Sequence, residues 1–87
     1  MANSKSGIKR ARQSQERRMR NRMAKSKLRT ATRRFREAVA SQDTGTAESE
    51  LKQVVSLLDR YAVKGIVHRN TAARKKSRMS AQLHALQ

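Results

Sequence analysis

The side chains best equipped to do chemistry in this sequence are cations. Between Lys5 and Arg36 stand fourteen Lys or Arg against one acid, Glu16, with no Pro and a single Gly, Gly7. Charge of one sign at that density repels itself and cannot be buried unpaired, so it calls for a polyanion. Arg outnumbers Lys here, which favours bidentate grips on phosphate and stacking on bases. Lys5, Lys9, Arg10, Arg12, Arg17, Arg18, Arg20, Arg22, Lys25, Lys27 and Arg29 fall on several faces of one helix. A one-sided basic face would suit a flat anionic surface such as a membrane. Charge on every side suits a rod lodged between backbone strands, as in a folded RNA. A merely solvated helix face mixes its signs, and this one barely does.

Other kinds of chemistry find few candidates. The six acids are dispersed, no Gly-rich loop follows a strand, and no nucleophile has a base at a motif spacing. The reading is therefore not an enzyme, with no cofactor and no small-molecule substrate. Asp59 with Arg60 reads as a surface pair. Without Cys there is no disulfide framework or thiolate metal site, and a reducing compartment is compatible. His68 and His84 lie sixteen residues apart with no neighbouring carboxylate, which is not a metal-ligand spacing. The two aromatic residues, Phe35 and Tyr61, fall on apolar stripes and read as packing groups. Readers of single strands need exposed aromatics. Recognition should rest instead on shape and backbone, through phosphate and 2′-hydroxyl contacts from Arg, Lys, Ser, Thr and Asn.

The charge is unevenly spread. Residues 1–41 carry fourteen basic and two acidic groups, residues 42–67 three and four, and residues 68–87 five and none. A polyanion touched at both ends, with a nearly neutral middle, fits this division. A chain of 87 residues is one thin domain, burying only roughly 60% of its unfolded surface, so a partner is expected to steady it. No run reaches the ~18 apolar residues of a membrane span, and no apolar block follows the basic start as in a signal peptide. The start is Arg-rich and acid-poor, as organelle transit peptides are, but shows no boundary with a separate mature domain.

These cations must be positioned by helices, since no segment alternates with a period of two. Met1–Ser6 is polar and small, and is expected to stay irregular until it meets its ligand. From about residue 8 to 41 nothing interrupts a helix, which would run roughly 50 Å at about 1.5 Å per residue. Ala24, Leu28, Ala31, Phe35, Ala38 and Val39 mark its buried stripe. Ahead of Ala24 only Ile8, Met19 and Met23 are sizeable and apolar, so the N-terminal half should project, and like charges at i,i+4 oppose it in isolation. A turn follows at Ser41–Thr46, where Asp43 is favoured over Thr46 as N-cap of a second helix at about 44–64. Ala47, Leu51, Val54, Val55, Leu58, Tyr61 and Ala62 form that helix's apolar face, and Lys64-Gly65 closes it with a left-handed residue. A third helix begins near His68–Asn70 and runs about 69–86, with Ala72, Met79, Leu83 and Leu86 inward. Short connections make neighbours antiparallel, so the fold class is all-α: an antiparallel three-helix bundle with a long, projecting, highly basic first helix.

Two DNA-binding readings compete. Asn21-Arg22-Met23-Ala24-Lys25-Ser26-Lys27 resembles the recognition segment of a basic zipper. That segment must run into three or four leucine heptads, and here the pattern stops near Ser41. A free-standing, nucleoid-type architectural DNA-binding protein remains the alternative.

One block is more specific than any basic helix. Lys64-Gly65-Ile66-Val67-His68-Arg69-Asn70-Thr71-Ala72-Ala73-Arg74-Lys75-Lys76-Ser77-Arg78 closely resembles the signature of the bacterial small-subunit ribosomal protein S20 family. Ala2-Asn3, Lys5-Ser6 and Lys9-Arg10 are similar to that family's opening, as are Asn21, Ser26, Arg29 and Thr30 in the first helix and Asp59 before the Gly turn. The likeness covers nearly the whole chain. Gly7 stands where the family often has Ala, which loosens the helix start, and Met79 replaces a common Leu. The resemblance implies a cytoplasmic three-helix ribosomal protein, monomeric within the 30S small subunit among its other components. It would bind 16S ribosomal RNA directly during assembly, in the 5′ domain and near the base of the long 3′ minor-domain helix. Carried over by position, Asn3, Lys5, Ser6, Lys9, Arg10, Asn21, Ser26, Arg29, Thr30, Lys64, His68, Asn70, Arg74 and Lys76 are expected RNA contacts. Arg33, Arg69, Lys75 and Arg78 join the basic residues above in that set. His68 and Asn70 stand at a helix start, where a phosphate is favoured; either also reads as a plain cap.

Overall fold

Nothing in the first forty residues breaks a helix, and the computed structural model, which describes residues 5–87, carries one helix, α1, from Lys5 to Ala40. It starts a turn earlier than about residue 8, because a lone Gly7 costs a helix only about 1 kcal/mol relative to Ala and Lys5 and Ser6 are not breakers. Helix α2 spans Thr44–Val63 and α3 spans Arg69–Leu86. Among the described residues there is no strand. Asn3 and the side chain of Lys5 lie outside the described residues.

The core is a seam of two interlocking heptad patterns. On α1, Ala24, Ala31 and Ala38 recur every seven residues, with Leu28 and Phe35 between them. On α2, Ala47, Val54 and Tyr61 recur in the same way, with Leu51 and Leu58 between them. All ten are buried, and Phe35, Val54 and Leu58 are sealed from solvent. Alternating small and large side chains lets the antiparallel helices approach closely and interdigitate. Helix α3 adds Ala72 and Met79, with Leu83 and Leu86 half-buried beside them. It packs chiefly on α2 and touches α1 only lightly, so α2 is the middle helix. No polar or charged residue is buried among the described residues. Between Ser6 and Met23 no α1 side chain is buried, and the molecule stretches to 64 × 21 × 14 Å.

Both connections use the same C-terminal device. After α1, the Gln42 N–H donates to the Val39 carbonyl and the Asp43 N–H to the Ala38 carbonyl, at 3.0 and 2.9 Å. After α2, the Gly65 N–H donates to Ala62 and the Ile66 N–H to Tyr61, at 3.1 and 2.9 Å. Each is a Schellman motif, whose C′ residue must take a positive φ. Gly65 does so freely at +77°, whereas Gln42 does so at +59° against the clash of its Cβ. Asp43 then caps α2: one carboxylate oxygen accepts from the Thr46 N–H at 3.2 Å and the other from the Thr46 hydroxyl at 2.6 Å. Those bonds, the hydroxyl's first, hold its carboxyl below the usual carboxylate range.

Two local readings need correction. The cap of α3 is His68, whose Nδ1 accepts from the Asn70 N–H at 3.1 Å, so Asn70 donates its backbone N–H rather than capping. Asp59 pairs with Lys76 of α3 at 2.6 Å and not with its neighbour Arg60. Adjacent residues on a helix point about 100° apart, while antiparallel packing brings α3 alongside.

Two stability changes follow from this packing. Leu58→Ala should cost roughly 2–5 kcal/mol, read as a large drop in the melting midpoint by far-ultraviolet circular dichroism. Gln42→Gly should raise the midpoint, because relief of a left-handed clash of about 1–2 kcal/mol outweighs glycine's extra chain entropy. A midpoint that fell would show that the turn does not depend on Gln42 adopting this conformation.

Candidate nucleic-acid interface

The projecting half of α1 offers Ser6, Lys9, Arg10, Arg12, Arg17, Arg18, Arg20 and Arg22 to solvent, all exposed. Further along, where α1 joins the bundle, its cations edge three open grooves. None is an enclosed cavity of the kind that buries a small molecule.

The first groove, about 1220 Å³, lies where the middle of α1 meets the end of α2. Arg17, Arg20, Asn21, Arg22, Ser26 and Lys27 line it from α1, and Arg60, Lys64 and Gly65 from the other side. The second, about 710 Å³, lies between α1 and the start of α3. Lys25, Arg29, Arg33 and Arg36 face His68, Thr71 and Lys75 across a floor that includes Leu28, Ile66 and Val67. The third, about 570 Å³, follows the α1–α2 seam on its other flank. Lys27, Thr30 and Arg34 line it opposite Lys52, Gln53 and Ser56, with Ala31 and Leu57 beneath. Among the described residues, no carboxylate lines any of the three.

The second groove has a further donor set. The His68 Nδ1 is occupied as an acceptor, which leaves Nε2 as the ring's donor in the neutral imidazole. The α3 N-terminus directs its free N–H groups and the positive end of its dipole to the same place, which favours an anionic oxygen there. His68 is therefore both cap and available donor, through different nitrogens.

Not every expected contact is equally free. The Thr30 hydroxyl donates to the Ser26 carbonyl at 3.1 Å, so toward RNA it is left as an acceptor, for instance from a 2′-hydroxyl. Lys76 is held by Asp59, and Arg33 makes a loose 3.8 Å pair with Glu37. Both pairs are substantially exposed, so each is worth well under about 1 kcal/mol and gives way readily to a stronger anion. Arg69, Asn70, Arg74 and Arg78 are exposed on α3 but line none of the grooves.

Arg34, Arg36, Lys52 and Arg60 were absent from the contacts expected on sequence grounds, yet they line the grooves. Residues 42–67 look neutral when counted together. In the fold, Asp43, Glu48 and Glu50 sit at the start of α2, while Arg60 and Lys64 sit at its end beside the basic part of α1. Asp59 is already taken up by Lys76. Charge summed along a segment hid this separation; plotting sign against position on α2 shows it.

Among the described residues no cluster of His, Cys, Asp or Glu could hold a metal ion, and no helix is long and apolar enough to cross a membrane. The class of protein that this fold and these grooves suit is a small helical module for gripping a polyanion. A family model described as Ribosomal protein S20 matches residues 2–84. Over 86 residues the chain is 48% identical to the small ribosomal subunit protein bS20 of Syntrophobacter fumaroxidans, covering 99% of this chain and 100% of that protein. It is 48% identical to the same-named protein of Syntrophomonas wolfei, with 99% and 98% covered, and 49% identical to that of Dechloromonas aromatica, with 99% and 97% covered. The chain belongs to the ribosomal protein S20 family, a family of ribosomal proteins and not of enzymes.

Replacing Arg10 and Arg17 together by Ala should weaken binding to a structured RNA about tenfold, equivalent to roughly 1.4 kcal/mol, while the melting midpoint stays within error. Filter binding and thermal melting on the same preparation check this, since neither side chain contributes to the core.

Proposed function

We propose that this chain is a constituent of the small ribosomal subunit that binds 16S rRNA directly and stabilises its folding during assembly. Family membership supports the ribosomal part of this reading. One observation carries the rest: cation-lined grooves free of carboxylates open around a single helix whose far half bears charge on every side. Such a surface suits several RNA backbones converging on α1. It suits one flat or one-sided anion poorly.

The mechanism follows from the division of labour. The bundle clips onto the RNA surface through the groove between α1 and α3, and the projecting half of α1 enters between RNA segments. Each Arg or Lys that meets a phosphate releases condensed counterions, and bidentate Arg contacts fix the angle of the backbone. Phosphate contacts position the protein without reading bases, so recognition comes from the shape of the folded RNA. In this reading the RNA partners are the 5′ domain and the base of the long 3′ minor-domain helix, and the protein acts as a monomer in the cytoplasmic ribosome.

With six to ten phosphate contacts, affinity for a folded 16S 5′-domain fragment should fall about 10³–10⁵-fold between 50 and 200 mM salt. Competition against duplex DNA of equal length should leave the RNA complex intact. Equal displacement by DNA would favour an architectural DNA-binding protein instead, and a flat salt titration would rule out the phosphate grip.

A further inference from the structure

We propose that Asp59 is a positioning residue for RNA binding: through Lys76 it fixes the register of α3 on α2, and with it the angle at which the start of α3 meets the RNA. The inference deepens the rRNA-binding reading and rests on it. Asp59 is an unexpected candidate, because a carboxylate in a chain of formal charge +16 should only oppose a polyanion. Yet its Oδ1 accepts from the Lys76 Nζ at 2.6 Å. Among the described residues this is the one side-chain hydrogen bond or ion pair that joins two helices.

The α2–α3 contact needs such a bond. The α1–α2 seam fixes its own register, because Leu28, Phe35, Val54 and Leu58 alternate with alanines and interdigitate. Helix α3 buries only Ala72 and Met79, with Leu83 and Leu86 half-buried. Apolar contact is non-directional, and a methyl group beside a flexible thioether fits several rotations and shifts of α3 almost equally. Since α3 touches α1 only lightly, α1 does not correct such a shift. A charge-assisted hydrogen bond is directional, so it singles out one arrangement even where exposure leaves it little to add to stability. In that arrangement His68 and Thr71 stand opposite Arg29 and Arg33. A phosphate that took Lys76 for itself would leave the Asp59 carboxylate unpaired beside an anion, so the pair is kept when RNA binds.

The chain has no cysteine, so spin labels on Ser49→Cys of α2 and Ala85→Cys of α3 report the distance between those helices in the free protein. Both positions are exposed and line none of the grooves. The distance distribution should be narrow, and Asp59→Asn should broaden it while helix content stays the same. Asp59→Asn also raises the formal charge by one, from +16 to +17, which favours any polyanion. Binding to duplex DNA should therefore tighten slightly. Binding to the folded 16S 5′-domain fragment should instead weaken about threefold, the population shift that an exposed pair can control. Exchanging the charges, Asp59→Lys with Lys76→Asp, keeps the net charge and should restore both the narrow distribution and the affinity for the folded fragment. Folded RNA bound as well or better after Asp59→Asn would overturn the proposal, as would a distribution that stays narrow. An exchanged pair that rescues neither would overturn it too, by showing that Lys76 matters for its own contacts. An unaltered chain with no preference for the folded fragment over duplex DNA would sink the functional reading itself, and this inference with it.

Discussion

The rest of the molecule depends on the seam between α1 and α2. Full burial of side chains such as Phe35, Val54 and Leu58 contributes about 1.5–3 kcal/mol each. Among the described side chains, three like-charge pairs at i,i+4 oppose α1: Arg18–Arg22, Lys25–Arg29 and Arg29–Arg33. Each costs about 0.2–0.5 kcal/mol, so the seam outweighs them comfortably over the half of α1 that it covers. Beyond Ala24 in the N-terminal direction there is no seam, and helix propensity alone opposes the repulsion. A partner of opposite charge removes that conflict.

The same seam determines where charge can go. A heptad stripe occupies one narrow face of α1, leaving both flanks and the back for cations. Because α2 covers only that stripe, Lys27, Thr30 and Arg34 border one groove, and Lys25, Arg29 and Arg36 border another. A broader apolar face would have converted one flank to core. Alanine at three of the five buried α1 positions keeps the contact narrow and close.

Helix α2 serves as scaffold and as electrostatic organiser. Its acids are confined to the end where α1 finishes, apart from Asp59, which Lys76 of α3 neutralises. Its remaining cations lie along α1. The Gly65 turn then delivers His68 and the start of α3 beside Arg29 and Arg33, combining backbone donors, a dipole and guanidinium groups in one place. Both features follow from antiparallel packing across short connections.

By itself the sequence determined the three helices, the stripes of Ala24–Ala38 and Ala47–Tyr61, the Asp43 cap and the sign of the partner. These are local or periodic properties: helix propensity, a repeat of three and four residues, and a count of charges. Tertiary structure decided which cations share a groove, because that depends on what stands opposite each flank of α1. It paired Asp59 with Lys76, and brought Arg34, Lys52 and Arg60 to groove walls. Propensity describes a residue's neighbours in the chain, and those pairings belong to residues that only packing makes neighbours.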